Sequence, residues 1–134
     1  MTRYVIDAPT LVDLVDRGLP VDPAHQLVAP TRIRSEALEL LLGDVLRGDR
    51  DEKAALEVHE RMTQLKIRVL GDRVSRAVAW KLAREHGWVD LRDAEYLAVA
   101  TLQADALATV DADLAAKAQG IVAIAAVPAL ATAL

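Results

Sequence analysis

Short, continuously apolar runs rich in β-branched residues recur along the chain: RYVI at 3–6, LVA at 27–29, IRVL at 67–70, ALATV at 106–110 and IVAIA at 121–125. Runs without polar alternation suit strands covered on both faces, as in a parallel sheet. Between them, apolar residues recur at helical spacing. A short helix is expected over 10–17, stopped by Gly18 and the LPVDP turn. A longer one spans 31–46, with Pro30 near its first turn and Ile33, Ala37, Leu40 and Leu41 on one face. RGDRDE at 47–52 reads as a solvated turn, and the helix after it, 51–65, carries Leu56, Met62 and Leu65 at helical spacing. Further helices are expected over 72–87, ending at Gly87, over 91–103, and in ADLAAKA after Asp111. Strands alternating with helices predict a parallel sheet with helical crossovers: a compact three-layer α/β/α fold, with residues 1–134 forming a single domain.

Composition then narrows the chemistry. At 134 residues the chain buries a substantial core without covalent staples. It has no cysteine, which excludes disulfides, thiolate zinc sites and a Cys nucleophile, and favours a cytoplasmic setting. Aromatics make up 3%, so platforms for stacking nucleobases are scarce. The net charge of −4 argues against a phosphate clamp covering a whole face but permits a local basic rim. The start, MTRYVIDAPT, lacks a cleavage-site pattern and is not expected to be a signal peptide. The uncharged GIVAIAAVPALATAL is broken by Pro128 and is shorter than the roughly 20 apolar residues of a membrane span. A buried strand, a turn and a closing helix are expected there, and no membrane association.

The acids fall in informative places. Asp7 directly follows the first strand and Asp111 the fourth, and residues just past strand carboxyl ends line the ligand crevice of open parallel sheets. Glu36 lies early in the helix that begins where the second strand ends. Asp93 lies in the first turn of an otherwise apolar helix, with Asp90 three residues earlier as its expected N-cap. Taken singly, Asp7 and Asp111 read equally well as helix caps, and Glu36 as a solvated helix residue. Four carboxylates at one edge would repel one another and have raised pKa values. A hard divalent cation, Mg²⁺ or Mn²⁺, held by oxygen ligands relieves that conflict. Its natural chemistry is to activate water and neutralise the charge that builds on a phosphodiester under attack.

The segments YVIDAPTLVDL, APTRIRSEALELL, LRDAEYLAVA and LATVDADLAAKA together resemble, in order and spacing and nearly end to end, the four acidic motifs of PIN-domain ribonucleases, especially VapC-like toxins of toxin–antitoxin systems. The resemblance implies a Mg²⁺- or Mn²⁺-dependent endoribonuclease. Its acids are Asp7, Glu36, Asp93 and Asp111, with Asp113 as a secondary metal ligand. Thr109 matches a hydroxyl residue that orients a carboxylate. Where many members carry Ser or Asn two residues after the first Asp, this chain has Pro9, and Thr10 is the nearest replacement. The resemblance also implies an RNA substrate, a homodimer and a small antitoxin whose C-terminal segment places a basic side chain among the acids. The apolar helices at 34–46 and 54–65 are candidate surfaces for both partners.

Arg32 and Arg34 flank Glu36 and are candidates to contact RNA phosphate; Arg92 and Lys117 are similar, though each also reads as an ordinary solvated charge. His25, His59 and His86 lie away from the acidic motifs. Trp80 and Trp88 are expected to pack in the core or an interface. Glu95, about 200° around its helix from Asp93, should point away, and Glu39 should sit at the site's margin. Two other readings compete with the nuclease: a catalytically weakened PIN-like binding or regulatory protein, and a phosphatase-like enzyme with an Asp7 nucleophile.

Overall fold

Five parallel strands form one sheet in the order β3-β2-β1-β4-β5, where β1 is Thr2–Ile6, β2 His25–Pro30, β3 Ile67–Leu70, β4 Ala106–Ala108 and β5 Ile124–Ala125. The computed structural model describes residues 1–131. Six helices join the strands: α1 Ala8–Asp16, α2 Ile33–Arg47, α3 Glu52–Thr63, α4 Arg73–His86, α5 Arg92–Gln103 and α6 Ala112–Ala118. Helices α1, α2 and α3 pack on one another, while α4 packs on α5, which lies against β2, β1 and β4. This is the three-layer α/β/α arrangement that the alternation predicts.

The central strands are buried as expected: Val5, Ile6, Val28, Leu107 and Ala108 have no exposed surface. The edge strands are not covered on both faces, and Val69 on β3 and Ile124 on β5 reach solvent. The fifth strand is shorter than 121–125. The N–H groups of Ile121 and Val122 turn back to the Ala118 carbonyl, closing α6 instead of pairing with β4. The fourth strand also ends early, at Ala108, and Thr109 and Val110 leave the ladder. After β5 a 3-10 turn, Val127–Leu130, buries Val127 and Leu130, and the rest of the expected closing helix lies outside the described residues.

Two helix faces differ from the expected ones. The buried stripe of α2 is Ile33, Ala37 and Leu41, and Leu40 is exposed. In α3 it is Ala55, Val58 and Met62, while Leu56 faces out. Helix α4 does stop at Gly87, whose φ of 71° lies in the left-handed region that glycine adopts freely. It approaches α5 through small residues, Ala79 and Ala83 against Ala94 and Ala98, which fixes the start of α5 and hence Asp93. Among the described residues no helix is long and apolar enough to cross a membrane.

The chain moves outward from β1 through β2 to β3, then crosses back to place β4 on the other side of β1. That reversal opens a crevice beyond the carboxyl ends of β1 and β4. Asp7 and Asp111 stand at its lips.

Candidate active site

Asp7, Glu36, Asp93 and Asp111 all line one cleft of about 440 Å³ at this edge. Four segments separated by up to a hundred residues supply them: the β1–α1 junction, the first turns of α2 and α5, and the N-cap of α6.

Asp7 is the most enclosed, with 3% of its surface exposed. It is the N-cap of α1, accepting the Thr10 N–H at 3.3 Å, so the capping reading and the site reading hold together. The Thr10 hydroxyl donates to its Oδ1, and the Thr109 hydroxyl donates to its Oδ2 at 2.9 Å. Each hydroxyl also accepts a backbone N–H, from Val110 at 3.0 Å on Thr10 and from Asp111 at 2.9 Å on Thr109. The early end of β4 makes this possible. Thr10 therefore supports Asp7 despite Pro9. Burial nevertheless pushes the Asp7 carboxyl above its usual range, the hydrogen bonds only partly offset this, and the Asp111 charge adds to it.

Asp111 is itself the N-cap of α6, accepting from the N–H groups of Asp113 at 2.9 Å and Leu114 at 3.3 Å. Asp113 is exposed and does not line the cleft. Glu36 is raised by burial, against the lowering effect of Arg32, whose Nε lies 2.6 Å from Glu36 Oε1. Arg32 Nη1 also donates to Glu95 Oε2 at 2.8 Å. Glu95 thus lies off the cleft wall as expected, yet it does not simply point away: it clamps the arginine that faces Glu36. The buried Tyr96 hydroxyl shares the cleft wall beside Glu36, its proton held by burial and by the charges of Glu36 and Asp7.

Asp93 is held by Lys117, whose Nζ donates to Oδ2 at 2.8 Å. The bond keeps Lys117 protonated beyond its usual range. Arg92 Nε stands 3.9 Å from Asp93 Oδ1. Asp90 accepts the Arg92 N–H at 3.1 Å, although the N-cap position falls one residue later, at Leu91. Lys117 rests over the Trp88 ring, 5.6 Å from its centroid, and His86 stacks on the same indole at 4.7 Å. Trp88 is half-buried, whereas Trp80 is 61% exposed and packs in no core. Arg92 and Glu39 border the cleft; Arg34 does not.

Spacing gave no sign of the Lys117–Asp93 pair, the Arg32–Glu95 clamp or the buried Tyr96 hydroxyl. The first two depend on how α6 and α2 lie against α5.

The acids suit a hard cation in donor type, all four offering carboxylate oxygen to one cleft. Among the described residues, however, no three Asp, Glu or His side chains are grouped closely enough to cage one. Each acid is tied to its own partner: Asp7 to two threonines, Asp111 to its helix end, Glu36 to Arg32 and Asp93 to Lys117. Binding a cation would require side-chain rearrangement.

Solved structures share the architecture. VapC20 of Mycobacterium tuberculosis, described as a sarcin-ricin loop cleaving toxin, aligns with a TM-score of 0.60 at 18% identity, over 89% of this chain and 96% of that one. The fold is PIN-like. PAE2754 from Pyrobaculum aerophilum aligns with a TM-score of 0.69 at 26% identity, over 91% of this chain and 89% of that one. No protein-family profile and no curated protein sequence matches the chain. On this PIN-like frame the four acids sit where strand ends and helix starts converge.

Proposed function

We propose that the chain is a cytoplasmic endoribonuclease that hydrolyses RNA phosphodiesters with Mg²⁺ or Mn²⁺, and that it is the toxin of a type II toxin–antitoxin pair. The observation that carries this reading is the convergence of Asp7, Glu36, Asp93 and Asp111 in one cleft at the carboxyl edge of a PIN-like sheet. Asp7, Asp93 and Asp111 would hold the cation, which when bound lowers the pKa of water and neutralises charge on the attacked phosphate. Glu36, raised by burial, is suited to take the proton from the attacking water. Thr10 and Thr109 fix the plane of the Asp7 carboxylate. Arg32, which lines the cleft, would be the cation that meets a phosphate oxygen.

The partners follow from a second surface. An apolar groove between α2 and α3, with Leu38, Leu42 and Leu56 partly exposed on it, meets the acidic cleft at Glu39, which borders both. An antitoxin segment with an apolar helix followed by a basic residue matches that sequence of surfaces. The homodimer of the resembling family remains part of the proposal.

Asp7→Asn and Asp93→Asn are expected to abolish metal-dependent RNA cleavage while leaving the circular dichroism spectrum unchanged. Cleavage at wild-type rates by both variants overturns the nuclease reading.

The internal pairing of Asp93 and Glu36 with cations favours a second reading, a PIN-like binding or regulatory protein with weakened catalysis. Mn²⁺ that raises Tm in wild type but not in Asp111→Asn, without RNA turnover, selects it.

A further inference from the structure

We propose that Lys117 is a positioning residue of the cleft: a displaceable internal counter-ion that occupies Asp93 in the metal-free protein and passes to an RNA phosphate once a cation takes that carboxylate. This rests on the nuclease reading above.

The four acids are restrained in different ways. Asp7 is held by hydroxyls fixed in the backbone network, and Asp111 by the first N–H groups of its helix. Arg32 is clamped at both ends of its fork, by Glu36 and Glu95, so its departure breaks two ion pairs. Lys117 reaches its acid as a single point contact on a flexible four-carbon stem, and Arg92, 3.9 Å from the other oxygen of Asp93, is too distant to hydrogen-bond it. The Lys117 side chain keeps 32% of its surface exposed, while that of Asp93 keeps 14%. The ammonium therefore stands on the solvent side of the carboxylate. Trp88, 5.6 Å away, already faces the ammonium, so this favourable contact is available to the cation without Asp93.

An ammonium 2.8 Å from Asp93 Oδ2 and a divalent cation compete for the same lone pairs and the same negative charge. The affinity for the cation then includes the work of displacing Lys117. Once displaced, Lys117 is an unpaired cation at the edge of an acidic cleft, where a phosphodiester must lie for the acids to act on it. Removing the ammonium should tighten metal binding and weaken RNA binding at once, a pairing of effects that a purely structural ion pair does not produce.

The test is calorimetric titration of metal-free protein with MnCl₂, together with steady-state cleavage of an RNA oligonucleotide at saturating Mn²⁺. Lys117→Met should bind Mn²⁺ roughly tenfold tighter, consistent with removing one adjacent unit charge, and its KM for RNA should rise several-fold while kcat moves less. Lys117→Arg should restore wild-type values for both. Lys81→Met, on an exposed side chain loosely paired with Glu85, makes the same change in net charge and should alter neither. Mn²⁺ affinity in Lys117→Met no tighter than wild type, or an unchanged KM, overturns the proposal. If Asp93→Asn still loses Mn²⁺ binding in that case, the nuclease reading stands. Absence of Mn²⁺ binding in every variant overturns both.

Discussion

Asp7 accepts three hydrogen bonds and is still held above the usual carboxylate range, because the burial of its charge outweighs them. A carboxyl raised in the fold binds more protons there than in the unfolded chain, from its ordinary 3.8 up to the folded value. Stability therefore falls as pH rises through that interval, and at neutral pH the ionised Asp7 opposes folding. Asp7→Asn removes the charge and keeps a good N-cap. In EDTA its Tm should exceed that of wild type at pH 7 by on the order of 3 °C, and the gain should disappear near pH 3. Thermal unfolding at both pH values checks this; an equal gain at both would remove the burial argument. Thr109→Val deletes one donor to Asp7 and strands the Asp111 N–H, at an expected cost of about 1–2 kcal/mol by denaturant unfolding. Thr109→Ser should recover most of it. The threonine was legible only through the family resemblance, since the apolar run 106–110 placed it inside a strand that in fact ends at Ala108. Lys117 read from the sequence only as a candidate phosphate contact, because its pairing with Asp93 spans 24 positions and is set by the packing of α6.

The helices show where periodicity stops being informative. LELLL at 38–42 is apolar nearly all round, so its spacing fits more than one inward face, and packing against α1 and α3 selects Ala37 and Leu41 over Leu40. By contrast, the strands of the sheet centre and the end of α4 were legible, since β-branched runs and a glycine with positive φ leave few alternatives. The turn between α2 and α3 reads as solvated, yet it carries a structural cation. Arg50 donates to both oxygens of Asp16 at 2.8 Å and to Asp44 at 3.3 Å, tying the end of α1 to α2. The Asp16 carboxyl is held below its usual range by Arg50. Such a depressed carboxyl contributes stability above pH 3.8, lost as pH falls through the lower folded value. Asp16 is 37% exposed, so screening limits the effect. Arg50→Met should cost about 0.5–1 kcal/mol at pH 7, with the deficit shrinking as pH falls below 3.8 in urea titrations.

At the scale of the whole molecule, an acidic protein is proposed to act on a polyanion. Sixteen Lys and Arg against twenty Asp and Glu leave a net charge of −4, so the long-range field repels RNA and only local cations attract it. Arg32 and Arg92 border the cleft, and Lys117 reaches it through Asp93. Each phosphate contact on a single strand contributes a slope of about −0.7 to log affinity against log salt. Without a divalent cation Lys117 stays on Asp93, so the two contacts from Arg32 and Arg92 give about −1.4, a shallow dependence for a nuclease, and one that also limits binding to RNA without a recognised shape. The prediction is that the affinity of Asp7→Asn for an RNA oligonucleotide, measured by fluorescence anisotropy between about 50 and 300 mM KCl, follows that slope. Arg92→Gln should reduce it by about 0.7. A slope steeper than about −4 would require a basic surface that the cleft does not supply, and would move RNA recognition away from the carboxyl edge of the sheet.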